Sequence, residues 1–190
     1  DESGRFKLDD KGLPYQSTNE VFIKEVELST RDTAFFVIDP WNDAPSDFLN
    51  KYYGKIRENY ILPLIKKANE AGFPVYVFTN DCDAIKPIPY SCEIPKQFHL
   101  MKKQYSKMEI ISWQEIDLPV FIKSLRDKGV SNLIYTGFAS NLCIMIRPTG
   151  MVHMVQEGFT PYIIPEASAA VEKEGSWQSQ DIHKATLTTI

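Results

Sequence analysis

Leu133-Ile134-Tyr135-Thr136-Gly137-Phe138-Ala139-Ser140-Asn141-Leu142-Cys143 is the stretch that decides the fold of this chain. Leu133 to Thr136 reads as a strand, and its place in an alternation of strands and helices argues for a parallel sheet with helices on both faces. Gly137 supplies the sharp turn out of that strand. Asn141 reads as a helix N-cap, which puts Cys143 in the first turn of the next helix.

The same alternation extends outward in both directions. Upstream, Ala34-Phe35-Phe36-Val37-Ile38 is a continuous apolar run that ends in Asp39-Pro40, a first core strand. Ile56, Tyr60, Ile61, Leu64, Ile65 and Ala68 recur at helical spacing, with Pro63 as an expected kink and Gly72 as a stop. A buried strand, Val75 to Phe78, follows, and a helix from Pro119 to Lys128 is stopped by Gly129. Downstream of Cys143 the sequence predicts a helical stretch interrupted by Arg147-Pro148-Thr149-Gly150, a strand Tyr162 to Ile164 and a final helix from Gln178 to Ile190. Asn80 to Glu109, with Pro87, Pro89 and Pro95 and little periodicity, reads as a long active-site or interface loop. Residues 1–32 read as an arm with one short edge strand at Val21-Phe22-Ile23, and residues 33–190 as one domain. The expected class is α/β: a three-layer, doubly wound, mainly parallel sheet with helices on both faces.

Composition narrows the function. The 190 residues suit one domain, and 43% hydrophobic with 24% charged residues is the balance of a globular chain. A net charge of −4 offers no positive field for phosphate backbones, so nucleic acid is not expected as a partner. No apolar run approaches the roughly 20 residues of a membrane span, and the chain, which begins with Asp1, opens without a basic-then-apolar leader pattern. Three cysteines make no full disulfide framework; Cys82 and Cys92 can pair, but free thiols in a reducing, cytoplasmic compartment are the simpler expectation. No dinucleotide or P-loop glycine pattern is present, and no cofactor is expected.

Ligands of open parallel sheets bind at the carboxyl ends of the strands, which selects Asp39, Asn80-Asp81 and the Gly137 to Cys143 turn. A thiol at a helix N-terminus sits near unsatisfied N–H groups that favour the thiolate and can bind an oxyanion. The competing reading makes Cys143 a small buried hydrophobe. Trp41 lines the pocket or packs in the core. Arg147 binds a substrate carboxylate or forms a surface or subunit salt bridge. His99, His153 and His183 are too scattered to hold a metal, and Asp43, Asp47, Asp81 and Asp83 read as solvated carboxylates or loop caps.

Two motifs carry a resemblance. Thr33-Ala34-Phe35-Phe36-Val37-Ile38-Asp39 resembles the first strand and catalytic aspartate of the isochorismatase-like cysteine hydrolases, and Leu133 to Cys143 resembles their strand, glycine turn and nucleophile. Glu70-Ala71-Gly72-Phe73-Pro74-Val75-Tyr76 and Glu157 to Ile164 fit the same family, so the similarity spans about Thr33 to Ile190. The resemblance implies an Asp-Lys-Cys triad of Asp39, Lys107 and Cys143, with Lys103 as the rival lysine. It implies an oxyanion hole of the Ala139 and Cys143 N–H groups and a cis peptide at Phe138-Ala139; Trp41, Phe138 and Arg147, from their places beside these residues, are the expected substrate contacts. The register of the lysine is unsettled, because Met108-Glu109-Ile110-Ile111-Ser112-Trp113 departs from the family's usual continuation. The implied activity is hydrolysis of a C–N amide or ureido bond in a small molecule, without metal or cofactor, by a homodimer or homotetramer. The alternatives are a noncatalytic binding or scaffold module and a thiol redox sensor.

Overall fold

The computed structural model describes residues 25–44, 46–83 and 92–188. The arm is thereby described only from residue 25, and the edge strand expected at Val21 to Ile23 lies outside the described residues.

Five strands form one sheet in the order β3-β2-β1-β4-β5. They are β1 Thr33–Ile38, β2 Val75–Thr79, β3 Met108–Ser112, β4 Asn132–Phe138 and β5 Thr160–Ala169. Every pairing is parallel. The helices are α1 Asp47–Ile56, α2 Leu62–Glu70, α3 Lys96–Gln104, α4 Leu118–Asp127, α5 Cys143–Ile146, α6 Met151–Gln156 and α7 Asp181–Leu187. The α/β class expected from the alternation of apolar runs holds.

Local chemistry explains the boundaries. Ser46 caps α1 by accepting from the Leu49 N–H, with Asp47 in the first turn and Lys55 in the last, so both ends suit the helix dipole. Between α1 and α2 the helix runs on through a π turn, Arg57–Ile61. Pro63, with no N–H for the i→i−4 ladder, stands just beyond it, and the expected kink takes this form. Asp117 caps α4, its carboxylate accepting from Val120 N–H at 3.1 Å, and Gly129 ends it at φ 78°.

Successive strand residues point to opposite faces, so the sheet divides the core in two. Phe35, Val37, Val75, Val77 and Ile134 pack with the α1–α2 side. Ala34, Phe36, Ile38, Tyr76, Phe78, Leu133 and Tyr135 pack with Ile122, Leu125, Ile144 and Met154 on the other. Phe36 anchors that second layer, meeting Tyr76, Phe78 and Tyr135 edge-on at centroid distances of 5.7, 5.1 and 5.4 Å, contacts worth about 0.5–1.5 kcal/mol each beyond area burial.

Four expectations need correction. The segment read as a loop to Glu109 contains α3 and most of β3; β3 is only partly buried beyond Met108 and its Glu109 breaks the apolar run, which hid it. Asn141 is not the cap of α5: Leu142 holds that position without a side-chain bond, and Asn141 Oδ1 instead accepts from Val171 N–H at 2.9 Å, tying the turn to the end of β5. Cys82 and Cys92 are not free thiols but a disulfide. The last helix is also shorter than expected, ending at Leu187.

Candidate active site

Gly137 brings the two halves of the site together. It pairs with Ile38 across β1 and β4 and adopts φ 108°. A Cβ there would lie 2.0 Å from the Ile38 carbonyl oxygen, so only glycine permits the approach. Asp39 therefore leaves β1 beside the turn that carries Cys143. Asp39 itself has φ 46°, a left-handed conformation that costs an L-residue about 1–2 kcal/mol but that aspartate tolerates better than most. The Phe138-Ala139 peptide is cis, as the resemblance implied.

Asp39 is wholly buried, and each carboxylate oxygen has a partner. Trp113 Nε1 donates to Oδ1 at 2.7 Å. Arg147 reaches Oδ2 with Nη2 at 3.3 Å and Nε at 3.4 Å, and Nη2 also reaches Asn80 Oδ1 at 3.4 Å. The Cys143 thiol shares a hydrogen bond with the same carboxylate. Burial pushes the Asp39 carboxyl above its ordinary value, against the opposing pull of Arg147, Trp113 and Cys143.

Burial likewise pushes the half-buried Cys143 thiol up to about 11, with the Asp39 charge acting the same way; Arg147 and the Ala139 N–H pull it down. This reverses the expectation of a favoured thiolate. The helix after Cys143 is only four residues long, so its dipole is weak beside the desolvation and the neighbouring carboxylate. Burial thus disfavours the charged form of both members of the hydrogen-bonded pair.

The remaining expected residues fall in different places. Lys107 is not at the site. It immediately precedes β3, level with Pro74 and the start of β2, and its Nζ donates to the Gly72 carbonyl at 2.9 Å. The five residues of β3 separate it from Trp113, six steps or about 20 Å at roughly 3.3 Å per residue. Lys103 is exposed in the last turn of α3, on the chain that leads to that same amino-terminal edge. Phe138 is wholly buried and stacked on Tyr53, centroids 4.1 Å apart, which makes it core rather than pocket wall. Arg147, expected at a substrate carboxylate, is engaged by the protein's own Asp39. Trp41 is half-buried beside Asp39; its indole N–H is buried without a partner among the described residues, and its carbonyl accepts from Arg57.

Two contributors were missed. Trp113 is the first residue after β3 and so lies at the carboxyl edge; recognition of that strand would have revealed it. Ser140 donates to His183 Nδ1 at 2.8 Å, while His183 Nε2 donates to the Pro165 carbonyl at 3.0 Å, which clamps α7 under the turn. Among the described residues no group of three or more His, Cys, Asp or Glu side chains is placed to hold a metal ion, and no helix is long and apolar enough to cross a membrane.

Neither a family model nor a curated protein sequence matches the chain. Solved structures do. A nicotinamidase/pyrazinamidase from Bacillus subtilis superposes with TM-score 0.60 at 19% identity, covering 83% of this chain and 93% of the other. An isochorismatase from Pseudomonas putida gives TM-score 0.60 at 17% identity and 87% of each chain. A cysteine hydrolase from Pseudomonas syringae pv. phaseolicola gives 0.60 at 18%, again over 87% of each. The fold is isochorismatase-like. In this isochorismatase-like frame Asp39, Trp113, Cys143 and Arg147 converge at the carboxyl edge of the sheet, where ligands of parallel α/β folds bind.

Proposed function

We propose that the protein is a metal-independent cysteine hydrolase that cleaves a C–N amide or ureido bond of a small molecule through a thioester on Cys143. The observation that carries this reading is the buried Asp39 carboxylate hydrogen-bonded to the Cys143 thiol at the carboxyl edge. A carboxylate with a raised affinity for protons, placed against a thiol, is a base suited to take that proton when a carbonyl carbon arrives.

In the proposed sequence the Cys143 proton moves to Asp39 as the sulfur bonds to the carbonyl carbon. The tetrahedral oxyanion is held by the Ala139 and Cys143 N–H groups. The C–N bond then breaks, the amine leaves with the Asp39 proton, and water converts the thioester to an acid and the free thiol. Trp41, beside Asp39, has a buried indole N–H without a partner among the described residues and is a candidate wall of the substrate site. Homo-oligomeric assembly is part of the proposal; a similar structure, YcaC from Escherichia coli, is an octameric hydrolase. The Cys82–Cys92 bond weighs against the cytoplasmic expectation, because reducing compartments keep such thiols open.

The test is ammonia release from a panel of primary amides and N-carbamoyl compounds, nicotinamide included, with mass spectrometry of the acylated protein. Wild type is expected to turn over at least one of them and to accumulate an adduct on Cys143, and Cys143→Ala to do neither. A wild type that turns over none and never acylates would refute the reading. One observation favours the noncatalytic alternative: Lys107, the lysine expected at the pair, stands at the other edge of the sheet.

A further inference from the structure

We propose that Arg147, seated on Trp113, is the fixed cation that holds Asp39 in place, in the role the resemblance assigns to a lysine. Asp39 is then the group that relays the proton from the Cys143 thiol to the leaving amine. The chemistry rests on the hydrolase reading, whereas the charge holding is testable without it.

The geometry is a single stack from the core to the carboxylate. Phe78, in β2, stacks on Trp113 with centroids 4.9 Å apart and an interplanar angle of 18°. The Arg147 guanidinium lies over the Trp113 ring at 4.9 Å, a cation–π contact. Trp113 and Arg147 then divide the carboxylate between them, one oxygen each. The indole thus both donates to Asp39 and positions the cation that neutralises it.

The backbone that carries Arg147 is shaped for this position. Arg147 N–H bonds to the Cys143 carbonyl at 3.1 Å, and Gly150 N–H bonds to the Arg147 carbonyl at 2.7 Å. A Cβ on Gly150 would fall 2.7 Å from the Met145 carbonyl oxygen and 2.9 Å from Arg147 N, so the turn closes only with glycine. The buried Tyr135 hydroxyl donates to the Thr149 carbonyl at 2.7 Å and pins the turn to β4. The Arg147-Pro148-Thr149-Gly150 interruption is therefore the element that delivers a charge to Asp39, rather than a break in a helix.

The chemistry explains why a cation is needed and what its identity changes. A wholly buried carboxylate without a partner would be neutralised rather than remain a base. The charged and titratable groups that act on Asp39 are Arg147 and Cys143; those that act on Cys143 are Asp39 and Arg147, with the Tyr53 hydroxyl also within electrostatic reach. No lysine is among them. A guanidinium keeps its protons at any working pH, whereas an amine can release one. In the proposed reaction the thiol proton therefore passes to Asp39 and from Asp39 to the leaving amine, with Arg147 unchanged throughout.

The experiment measures iodoacetamide alkylation of Cys143 between pH 7 and 11.5 in the full chain, beside ammonia release from the amide panel. The variants are Arg147→Met, Arg147→Gln, Arg147→Lys, Trp113→Phe and Lys107→Met, each checked for folding by circular dichroism. Loss of the cation is expected to move the alkylation midpoint to higher pH and to slow labelling at pH 8 about tenfold in Arg147→Met and Arg147→Gln. Arg147→Lys should restore most of that, Trp113→Phe should give an intermediate shift, and Lys107→Met should overlay wild type. A merely structural role for Arg147 would lower stability without moving the midpoint. Overlay of both neutral variants on wild type, or a shift in Lys107→Met, would overturn the proposal; if Arg147→Met does not fold, the Gln and Lys variants decide. Shifted midpoints with no amide turned over by wild type would sink the hydrolase reading and leave the assignment of Arg147 standing.

Discussion

Gly137→Ala is the substitution that most directly tests how the site is assembled. The alanine Cβ would lie 2.0 Å from the Ile38 carbonyl oxygen and 2.8 Å from its nitrogen, so β1 and β4 must part by at least 1.0 Å before contact reaches 3.0 Å. Overpacking of that kind costs roughly 1–3 kcal/mol, and φ 108° adds about 1–2 kcal/mol for any residue with a Cβ. The expected loss is about 2–5 kcal/mol. Gly158→Ala is the matched control: Gly158 has φ 86° but a Cβ there would meet nothing within 4 Å, so it carries only the backbone cost. Urea unfolding of the two variants isolates the close approach as their difference. The folded Gly137→Ala protein should also label faster with iodoacetamide at pH 8, because separating the strands removes the Asp39 influence that helps push the thiol up. Equal unfolding free energies for the two variants, within about 0.5 kcal/mol, would refute the argument that Gly137 is fixed by proximity to Ile38.

Three further outcomes are expected. Asp39→Asn should move Cys143 labelling to lower pH, since the carboxylate raises the thiol, while amide turnover falls about 10²–10⁴-fold with the base gone; labelling and turnover falling together would contradict it. The native Asp39 value lies above the free value of 3.8, so wild-type stability is expected to decline as pH rises from there through the native value, and the Asn variant should lack that decline in chemical unfolding. Replacement of Cys82 and Cys92 by alanine opens a loop closed over a separation of 10 residues, and should lower stability by about 2–3 kcal/mol on the loop-entropy account, read from thermal unfolding. His183 is held below its usual 6.5 by burial, so the stability of its neutral form is complete above about pH 6.5 and is lost as pH falls from there through the native value. His183→Gln should flatten the decline in Tm between pH 7 and 5, and an unchanged slope would remove His183 as its source.

The legible part of the site and the illegible part differ in what each residue depends on. Asp39 directly follows the apolar strand β1, and Gly137 and Cys143 lie near and beyond the carboxyl end of β4, so the one-dimensional pattern already places them at a carboxyl edge. The cation was not legible in this way. The resemblance placed the lysine after the middle loop, which pointed to Lys107, yet a strand begins right after it: the ladder runs from Val75↔Met108 to Thr79↔Ser112. In a parallel sheet the residue before a strand and the residue after it lie at opposite edges, so an unrecognised five-residue strand moves a candidate from one face of the molecule to the other. With β3 in register, Trp113, the first residue after it, is the side chain that reaches Asp39, with a donor but no charge. The charge must then come from another connection, and the turn after α5 supplies it through Arg147. A glycine that closes that turn and a tryptophan under the guanidinium are the two features that seat Arg147 beside Asp39, and neither is visible without the partner it packs against.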